Sequence, residues 1–389
     1  MSTAGQVQAA RSQPRVHESA YDIPLLATVG ILLAFGAVMV ESTTVVGART
    51  TSLGALFGPT THHLVHVAVG VTAMFVVARV PVGWWEMASK PLLLAGLLLL
   101  VVVALPGIGL TYNGSTRWLS VGGIQFQPAE PAKLFMIVYA AGYLTRKREN
   151  LGDFTQGVLI IGLVLAVLGV LLLLEPDFGS FVVVTLTIGT MLFLAGVRFW
   201  HFLLCAVASA GAMTFLIMAR DYRADRVTSF LNPWQDPADT AYQLVQGLIA
   251  LGRGEWLGVG LGAGVQKLYF LPHADNDFLL AVIGEELGFV GVCVVIALFG
   301  ILLWRSFAIS RAAERVGQIY AARLAQGLAL LLVLQAMIHI GVNLGALPTK
   351  GLTLPFMSHG GSSLIVCCVA IGMILGVERS VRPTPGGAS

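Results

Sequence analysis

Charge is what this sequence lacks most. Lys, Arg, Asp and Glu make up 11% of its 389 residues, against about a quarter in ordinary soluble domains. Whole runs such as Pro91–Leu105 and Val158–Leu174 carry none. A chain this poor in charge cannot clothe a water-facing surface, so the two or three soluble domains its length would allow are excluded. The net charge of +3 is small and scattered, which argues against nucleic acid as a partner. Cysteine is also scarce. Cys205, Cys293, Cys367 and Cys368 fall in apolar runs with no CxxC pair and no Cys/His zinc spacing, so they read as buried thiols. No small-residue cleavage site follows the first apolar segment, which makes that segment a span and not a removed signal.

What remains is 56% hydrophobic and patterned in stretches of the roughly 20 apolar residues that a bilayer requires. The pattern predicts an all-α polytopic membrane protein with ten spans, at 23–41, 62–80, 91–106, 129–145, 156–174, 178–196, 199–219, 277–303, 319–347 and 355–377. The turn Glu175-Pro176-Asp177 divides what would otherwise be one overlong run, since proline and two acids do not sit in hydrocarbon without a break. The expected organisation is a cytoplasmic tail (1–22), one membrane domain (23–378) and a second cytoplasmic tail (379–389). No soluble domain and no internal repeat is evident.

Lys and Arg set the orientation. With the N-terminus inside, the inner loops receive Arg79, Lys90, Arg146, Lys147, Arg148, Arg198, Arg305, Arg311 and Arg315, whereas the short outer loops receive Arg49, Arg117 and Lys350. An even span count then returns the C-terminus to the cytoplasm. The long connection 220–276 falls on the outer face. Loops of that length within compact proteins are usually functional or disordered, and this one carries Trp234, Tyr242, Trp256 and the run GRGEWLGVGLGAG.

Three outer segments gather polar groups. YNGSTRWLSVGGIQFQPAEPAKL holds Arg117, Trp118, Glu130 and Lys133; the long loop begins with RDYRADR and ends with Asp275 and Asp277; LPTKGLTLPFMSHGGSS holds Lys350, Gly360 and Ser362. Cations beside a Gly-rich helix start make a cradle for phosphate oxygens. Each feature also has a plainer reading. Arg220, Arg223 and Arg226 can snorkel to lipid headgroups, Gly360-Gly361-Ser362-Ser363 can be a close helix-packing element, and Glu130 can pair with Lys133 one turn away. His62 and His66 have i, i+4 metal spacing but no carboxylate near them in sequence, so span-end histidines are the stronger reading. His339 and Asn343, one turn apart in span nine, suit inter-helix hydrogen bonding. The Gly-rich run has neither a P-loop Lys-Ser/Thr nor dinucleotide spacing.

Asp277 is the last polar residue before the run Phe278–Ile283, which puts it at the outer interface, and Glu285 and Glu286 fall two turns deeper. An acid at a span's centre costs about 2.5–3.5 kcal/mol on insertion scales, so it faces a polar cavity or a partner. Asp277 as the cap of span eight is the structural alternative.

NGSTRWLSVGGIQFQPAEPAKL, EPDFGS, YQLVQGLIALGRGEWLGVGLGAGVQKLYFLP, DFLLAVIGEELGFVG and GVNLGALPTKGLTLPFMSHGGSSL are distributed between residues 113 and 364, a stretch that spans most of the chain. In sequence and order they resemble the SEDS proteins (shape, elongation, division and sporulation), and LPTKGLTLPFMS is closer to the FtsW division branch than to the RodA elongation branch. The resemblance implies ten transmembrane helices with one large extracytoplasmic loop between helices seven and eight. It implies polymerisation of lipid II into peptidoglycan glycan strands at the outer face of the bacterial inner membrane, during septal synthesis for the division branch. It places the family's essential acid on Asp277, its Arg-Trp pair on Arg117 and Trp118, its QPxExxK lysine on Lys133 and its PTKG lysine on Lys350. Where relatives commonly read PEAHTDF this chain reads PHADNDF, so His273 replaces a glutamate, and Asp275 supplies an acid two residues on. His359 replaces a tyrosine and His339 an asparagine.

The implied reaction is an inverting displacement of undecaprenyl pyrophosphate by a sugar 4-hydroxyl. It needs a base, assigned to Asp277, and positive charge for the leaving group, assigned to Arg117, Lys133 and Lys350. A divalent cation, Mg2+ or Mn2+, held by Asp277 is the other role open to that acid; no further cofactor is called for. Implied partners are undecaprenyl-linked glycan, a class B penicillin-binding protein, and the division proteins FtsQ, FtsL, FtsB and FtsN. Two rival readings of the same cavity are a flippase that moves lipid II without forming a bond and a scaffold without catalysis.

Overall fold

Helix α1 (Ile23–Thr44) leads into a bundle completed by α2 (Pro59–Val77), α3 (Val82–Ala104), α4 (Ala129–Arg146), α5 (Ile160–Leu174), α6 (Phe178–Leu194), α8 (Leu279–Arg315), α9 (Ile319–Asn343) and α10 (Gly361–Val381). Helix α7 (Tyr242–Gly254) belongs to the long connection. The computed structural model describes residues 21–44, 59–112, 115–122, 124–201, 241–268, 270–272 and 274–382, with isolated residues between 203 and 237. The expected span 199–219 lies largely outside these residues, as do Arg220, Arg223, Arg226, Cys205 and His273. The other nine expected spans each have a helix in place.

Among the described residues, seven helices are long and apolar enough to cross a membrane, and α6 is an apolar helix just short of that length. Helix α4 is not among them, because it carries Glu130, Lys133 and Arg146. Their outward faces are hydrocarbon-like, with Leu94, Leu98, Leu163, Val167 and Val170 exposed, as lipid contact requires. Helices α9 and α10 are mostly buried and form the centre, while α2 and α3 lie at the rim. The chain is a multi-pass membrane protein. Cys293 departs from the buried-thiol reading: it is exposed, whereas Cys367 and Cys368 are buried.

Several span edges differ from the hydropathy reading. Helix α3 begins at Val82 and carries Pro91 inside it, so the proline that marked an edge in sequence is an interior residue. The last span starts at Gly361, six residues late, because Phe356 has a left-handed φ of 67° that prevents helix there. An unforeseen antiparallel meander, β1 (Leu110–Tyr112), β2 (Ser115–Val121) and β3 (Ile124–Phe126), fills the α3–α4 connection. Asn113-Gly114 and Gly122-Gly123 in the sequence are the hairpin-turn signals that announce it.

Chain ends and bundle ends are tied by ion pairs. The Asp22 amide donates to Glu378 Oε2 at 2.7 Å, Arg305 pairs with Asp22, and Arg382 pairs with Glu378. The start of α1 and the ends of α8 and α10 therefore share one end of the bundle. At the other end, Ser42 near the close of α1 donates to Glu286 near the start of α8 at 2.8 Å.

Helix α8 spans 37 residues, about 55 Å at 1.5 Å per residue, but it is broken at Gly288 (φ 67°, ψ −165°). The segment after α7 fills the break. Val259 and Gly260 amides donate to the Glu285 and Glu286 carbonyls at 2.9 and 3.1 Å, and Phe289 and Val290 amides donate to the Glu255 and Trp256 carbonyls at 2.9 and 3.2 Å. Backbone groups freed inside a membrane bundle must be satisfied by protein, and this exchange does so. It requires glycine: a Cβ on Gly258 would lie 2.1 Å from the Glu286 carbonyl oxygen.

The same contact explains the two deep acids. Glu285 accepts from Val265 N at 2.8 Å and from Arg253 at 3.3 Å; Glu286 accepts from Gly262 N at 3.0 Å and pairs with Lys267. Both are fully buried. They are clasps for the Gly-rich loop.

Candidate active site

A cavity of about 450 Å³ opens at the bundle end opposite the chain termini, lined by Arg117, Trp118, Glu130, Asp177, Asp277 and Thr353, among others. Five elements build it: the meander, the starts of α4, α6 and α8, and the α9–α10 connection. Asp277 is half-buried in its lining. The 350–353 segment packs against this acid so closely that a Cβ on Gly351 would lie 3.0 Å from Asp277 Oδ2. Phe278, not Asp277, occupies the cap position of α8, and the first-turn amide of Ala281 donates to Asn343 Oδ1 at 3.1 Å. The helix is thus capped from α9.

Arg117 sits on β2 and reaches the turn between α5 and α6, donating from Nε to the Glu175 carbonyl at 2.9 Å and from Nη2 to the Pro176 carbonyl. Asp177 caps α6 through Ser180 N at 3.1 Å and Ser180 Oγ at 2.7 Å, and it accepts from Gln127 Nε2 at 3.3 Å. Glu175 is buried, and neither carboxyl oxygen has a hydrogen-bond partner among the described residues. Burial, then the neighbouring Asp177 charge, push its pKa from 4.5 up to about 8, with Arg117 opposing.

Lys133 lies behind the cavity wall. Its ammonium donates to Glu130 Oε1 at 2.8 Å and to Gln335 Oε1 at 2.9 Å, and it is 1% exposed. Gln335 Nε2 in turn donates to the Thr353 carbonyl and hydroxyl, both at 3.0 Å. A buried polar chain therefore runs from α4 through α9 to the cavity lining. Lys350 adjoins Gly351 and holds its ammonium 4.4 Å from the centre of the Phe178 ring, a cation–π distance.

The start of α10 is tightly engaged. Ser362 Oγ accepts from Gln127 N at 3.1 Å, Thr353 Oγ1 and Ser363 Oγ are 2.7 Å apart, and a Cβ on Gly360 would lie 2.9 Å from Thr353 Cγ2. Gly360 and Ser362 thus help to fix the cavity's rim. Asp275 accepts at its carbonyl from the His359 amide at 3.0 Å. Burial lowers the His359 pKa, against the pull of Asp275. The His359 ring faces His63 of α2 at 5.7 Å. Among the described residues no three His, Cys, Asp or Glu side chains form a group able to hold a metal ion.

Sequence reading had not singled out Ser115, Gln125, Gln127, Asp177, Ser180, Asn276, Gly351, Leu352 or Thr353 as site residues, and these complete the lining. The signal for Asp177 was present in the polar turn between two apolar runs. That for Gln125 and Gln127 was their alternation in IQFQ, a strand-like pattern in which Gln125 falls on β3 and Gln127 just past its end.

A family model described as "Cell cycle protein" (FTSW_RODA_SPOVE) matches residues 23–383. The chain is similar to a protein of Nitrosococcus halophilus named "Probable peptidoglycan glycosyltransferase FtsW", 48% identical over 93% of each chain. It is also similar to one of the same name from Coxiella burnetii, 47% identical over 91% of this chain and 95% of that one. Among solved structures it resembles a chain from work described as "Structural coordination of polymerization and crosslinking by a peptidoglycan synthase complex", with a TM-score of 0.76, 28% identity and coverage of 93% and 98%. It also resembles Rod shape determining protein RodA of Thermus thermophilus, with a TM-score of 0.66, 27% identity and coverage of 93% and 97%.

Proposed function

Because the chain belongs to the FtsW/RodA/SpoVE family of cell cycle proteins, we propose that it is a peptidoglycan glycosyltransferase that polymerises lipid II, with Asp277 as the general base. The observation that carries this reading is an acid and an arginine, Asp277 and Arg117, in the lining of one cavity at the bundle end opposite the termini. With the Lys and Arg distribution putting both termini in the cytoplasm, that end faces outward, where a lipid-linked sugar presents its head while its tail stays in the bilayer.

In the proposed step the Asp277 carboxylate takes the proton of the acceptor's 4-hydroxyl. The oxygen attacks the donor's anomeric carbon, the bond to the pyrophosphate oxygen breaks, and the anomeric centre inverts. Arg117, fixed by two carbonyls, and Lys350, stacked on Phe178, offset the charge that grows on the departing undecaprenyl pyrophosphate. Lys133 acts through Glu130 and Gln335, holding the wall against which the reactants sit. Trp118 lines the cavity, and Asp275, with His273 nearby in sequence, lies two residues before Asp277. A cavity of about 450 Å³ takes the sugar and diphosphate groups at the reacting bond, within the usual range for ligand sites; the stem peptide and the prenyl chain lie outside it.

The relatives support a division role and a synthase complex, so the proposed partner is a class B penicillin-binding protein at the septum, together with FtsQ, FtsL, FtsB and FtsN. Supplying fluorescent lipid II to the full-length chain, with and without that transpeptidase, tests the activity. Glycan ladders support polymerisation; exchange between leaflets with no ladder rejects it in favour of a flippase.

A further inference from the structure

We propose that Asn343 and Ser358 are positioning residues for Asp277, clamping the backbone that carries it so that its carboxylate is held at one place in the cavity. This rests on the reading of Asp277 as the base and adds the parts that aim it.

Three consecutive carbonyls are gripped. The Asp275 carbonyl accepts from the His359 amide at 3.0 Å, the Asn276 carbonyl from Ser358 Oγ at 2.8 Å, and the Asp277 carbonyl from Asn343 Nδ2 at 3.1 Å. Asn343 is fully buried on α9 and uses both ends of its amide: Nδ2 also donates to the His339 carbonyl at 2.9 Å, and Oδ1 accepts from Ala281 N in the first turn of α8. One side chain therefore fixes the Asp277 carbonyl and the first turn of α8, on either side of Phe278. Ser358 is likewise buried; its hydroxyl accepts from Leu354 N at 2.8 Å while donating to Asn276.

The turn that carries Ser358 is itself held rigidly. Phe356, buried, has a left-handed φ of 67°, a conformation a bulky residue keeps only where its surroundings enforce it. Helix α1 supplies the enforcement from behind: a Cβ on Gly36 would lie 2.5 Å from Met357 Cα. Neither Asn343 nor Ser358 is in the cavity lining, so both act through the backbone. A base carried on the last residues of a long loop needs such an anchor, because a displacement of about 1 Å from productive geometry can cost a hundredfold in rate.

The test uses full-length protein reconstituted with lipid II, with rates expressed per monodisperse molecule. Ser358→Ala and Asn343→Asp each remove a donor and keep the bulk. Both are expected to lower kcat by about ten- to a hundredfold, to leave KM for lipid II within about twofold, and to shift the acid limb of the pH–rate profile, while Ser358→Thr restores kcat. Wild-type kcat in both variants, with or without a lower melting point, overturns the clamp, as does a kcat loss with an unmoved acid limb that Ser358→Thr fails to restore. Asp277→Asn run in parallel separates the two readings. If it is inactive while the clamp variants are normal, only the clamp fails; if it polymerises at the wild-type rate, the base assignment fails and the clamp with it.

Discussion

Arg117 Nε donates to the Glu175 backbone carbonyl at 2.9 Å, while the Glu175 side chain turns into a buried space where neither carboxyl oxygen is met by a donor among the described residues. The guanidinium is thus held by peptide carbonyls and not by a carboxylate, which preserves its charge for a phosphate. Replacing it with lysine keeps the charge but loses the two-pronged grip, since an ammonium is a flexible point donor. Arg117→Lys is expected to reduce kcat/KM by about tenfold or more, the scale of one hydrogen bond to a charged group, as read from initial rates of glycan formation.

Glu175 makes folding stability pH-dependent. Its pKa rises from 4.5 to about 8 in the fold, chiefly through burial. Between those values the folded protein keeps a proton that the unfolded chain has released, so this group's contribution to stability falls as pH rises through the window and levels off above it. Glu175→Gln, a mimic of the neutral acid, should flatten that part of the melting-temperature profile between pH 5 and 8. An unchanged profile would mean that Glu175 is ionised in the fold.

The break in α8 should not tolerate a side chain. Gly288 has φ 67°, and a Cβ there would lie 2.4 Å from Gly258 N and 2.5 Å from the Trp256 carbonyl. Gly288→Ala adds the cost of a conformation that is essentially restricted to glycine, about 1–3 kcal/mol, to that collision with backbone. It should lower the melting temperature in detergent and unseat the loop that Glu285 and Glu286 hold.

Lys267 and Glu286 form a fully enclosed ion pair at 2.5 Å. Removing one partner strands a buried charge, which costs about 3–5 kcal/mol, whereas replacing both with apolar residues of similar size is often close to neutral. Lys267→Met alone should therefore be strongly destabilising, and Lys267→Met with Glu286→Leu should recover much of the loss, as measured by thermal melting of the two variants.

Sequence legibility varied with the kind of physics involved. Runs such as Val158–Leu174 announce a helix by length and apolarity alone, and the short turn at Glu175-Pro176-Asp177 separates α5 from α6 as read. Pro91 misled because a bundle can satisfy the carbonyl that a proline leaves unpaired, so a helix edge in sequence became a helix interior. The meander was hidden by a membrane context that favours helix, although Asn113-Gly114 signalled its turn. At the site, charged residues near outer span ends could be named from sequence, and Arg117, Glu130 and Asp277 come together in one cavity. Which cation faces it could not be read: the one-turn spacing of Glu130 and Lys133 left both pairing and catalysis open, and the fold shows Lys133 enclosed between Glu130 and Gln335, a residue distant in sequence. The one-turn pair His339 and Asn343 suggested an inter-helix hydrogen bond, which Asn343 makes to the start of α8, but no residue pattern encodes that Asn343 and Ser358 grip consecutive carbonyls next to the acid.

The central claim is that the Asp277 carboxylate abstracts the acceptor proton. The most direct measurement is the rate of lipid II polymerisation by the full-length Asp277→Asn variant, beside its melting temperature and its binding of lipid II. An amide of the same shape that cannot accept the proton should leave melting and binding near wild type and reduce the rate by about a hundredfold or more; polymerisation at the wild-type rate by this folded variant would contradict the account.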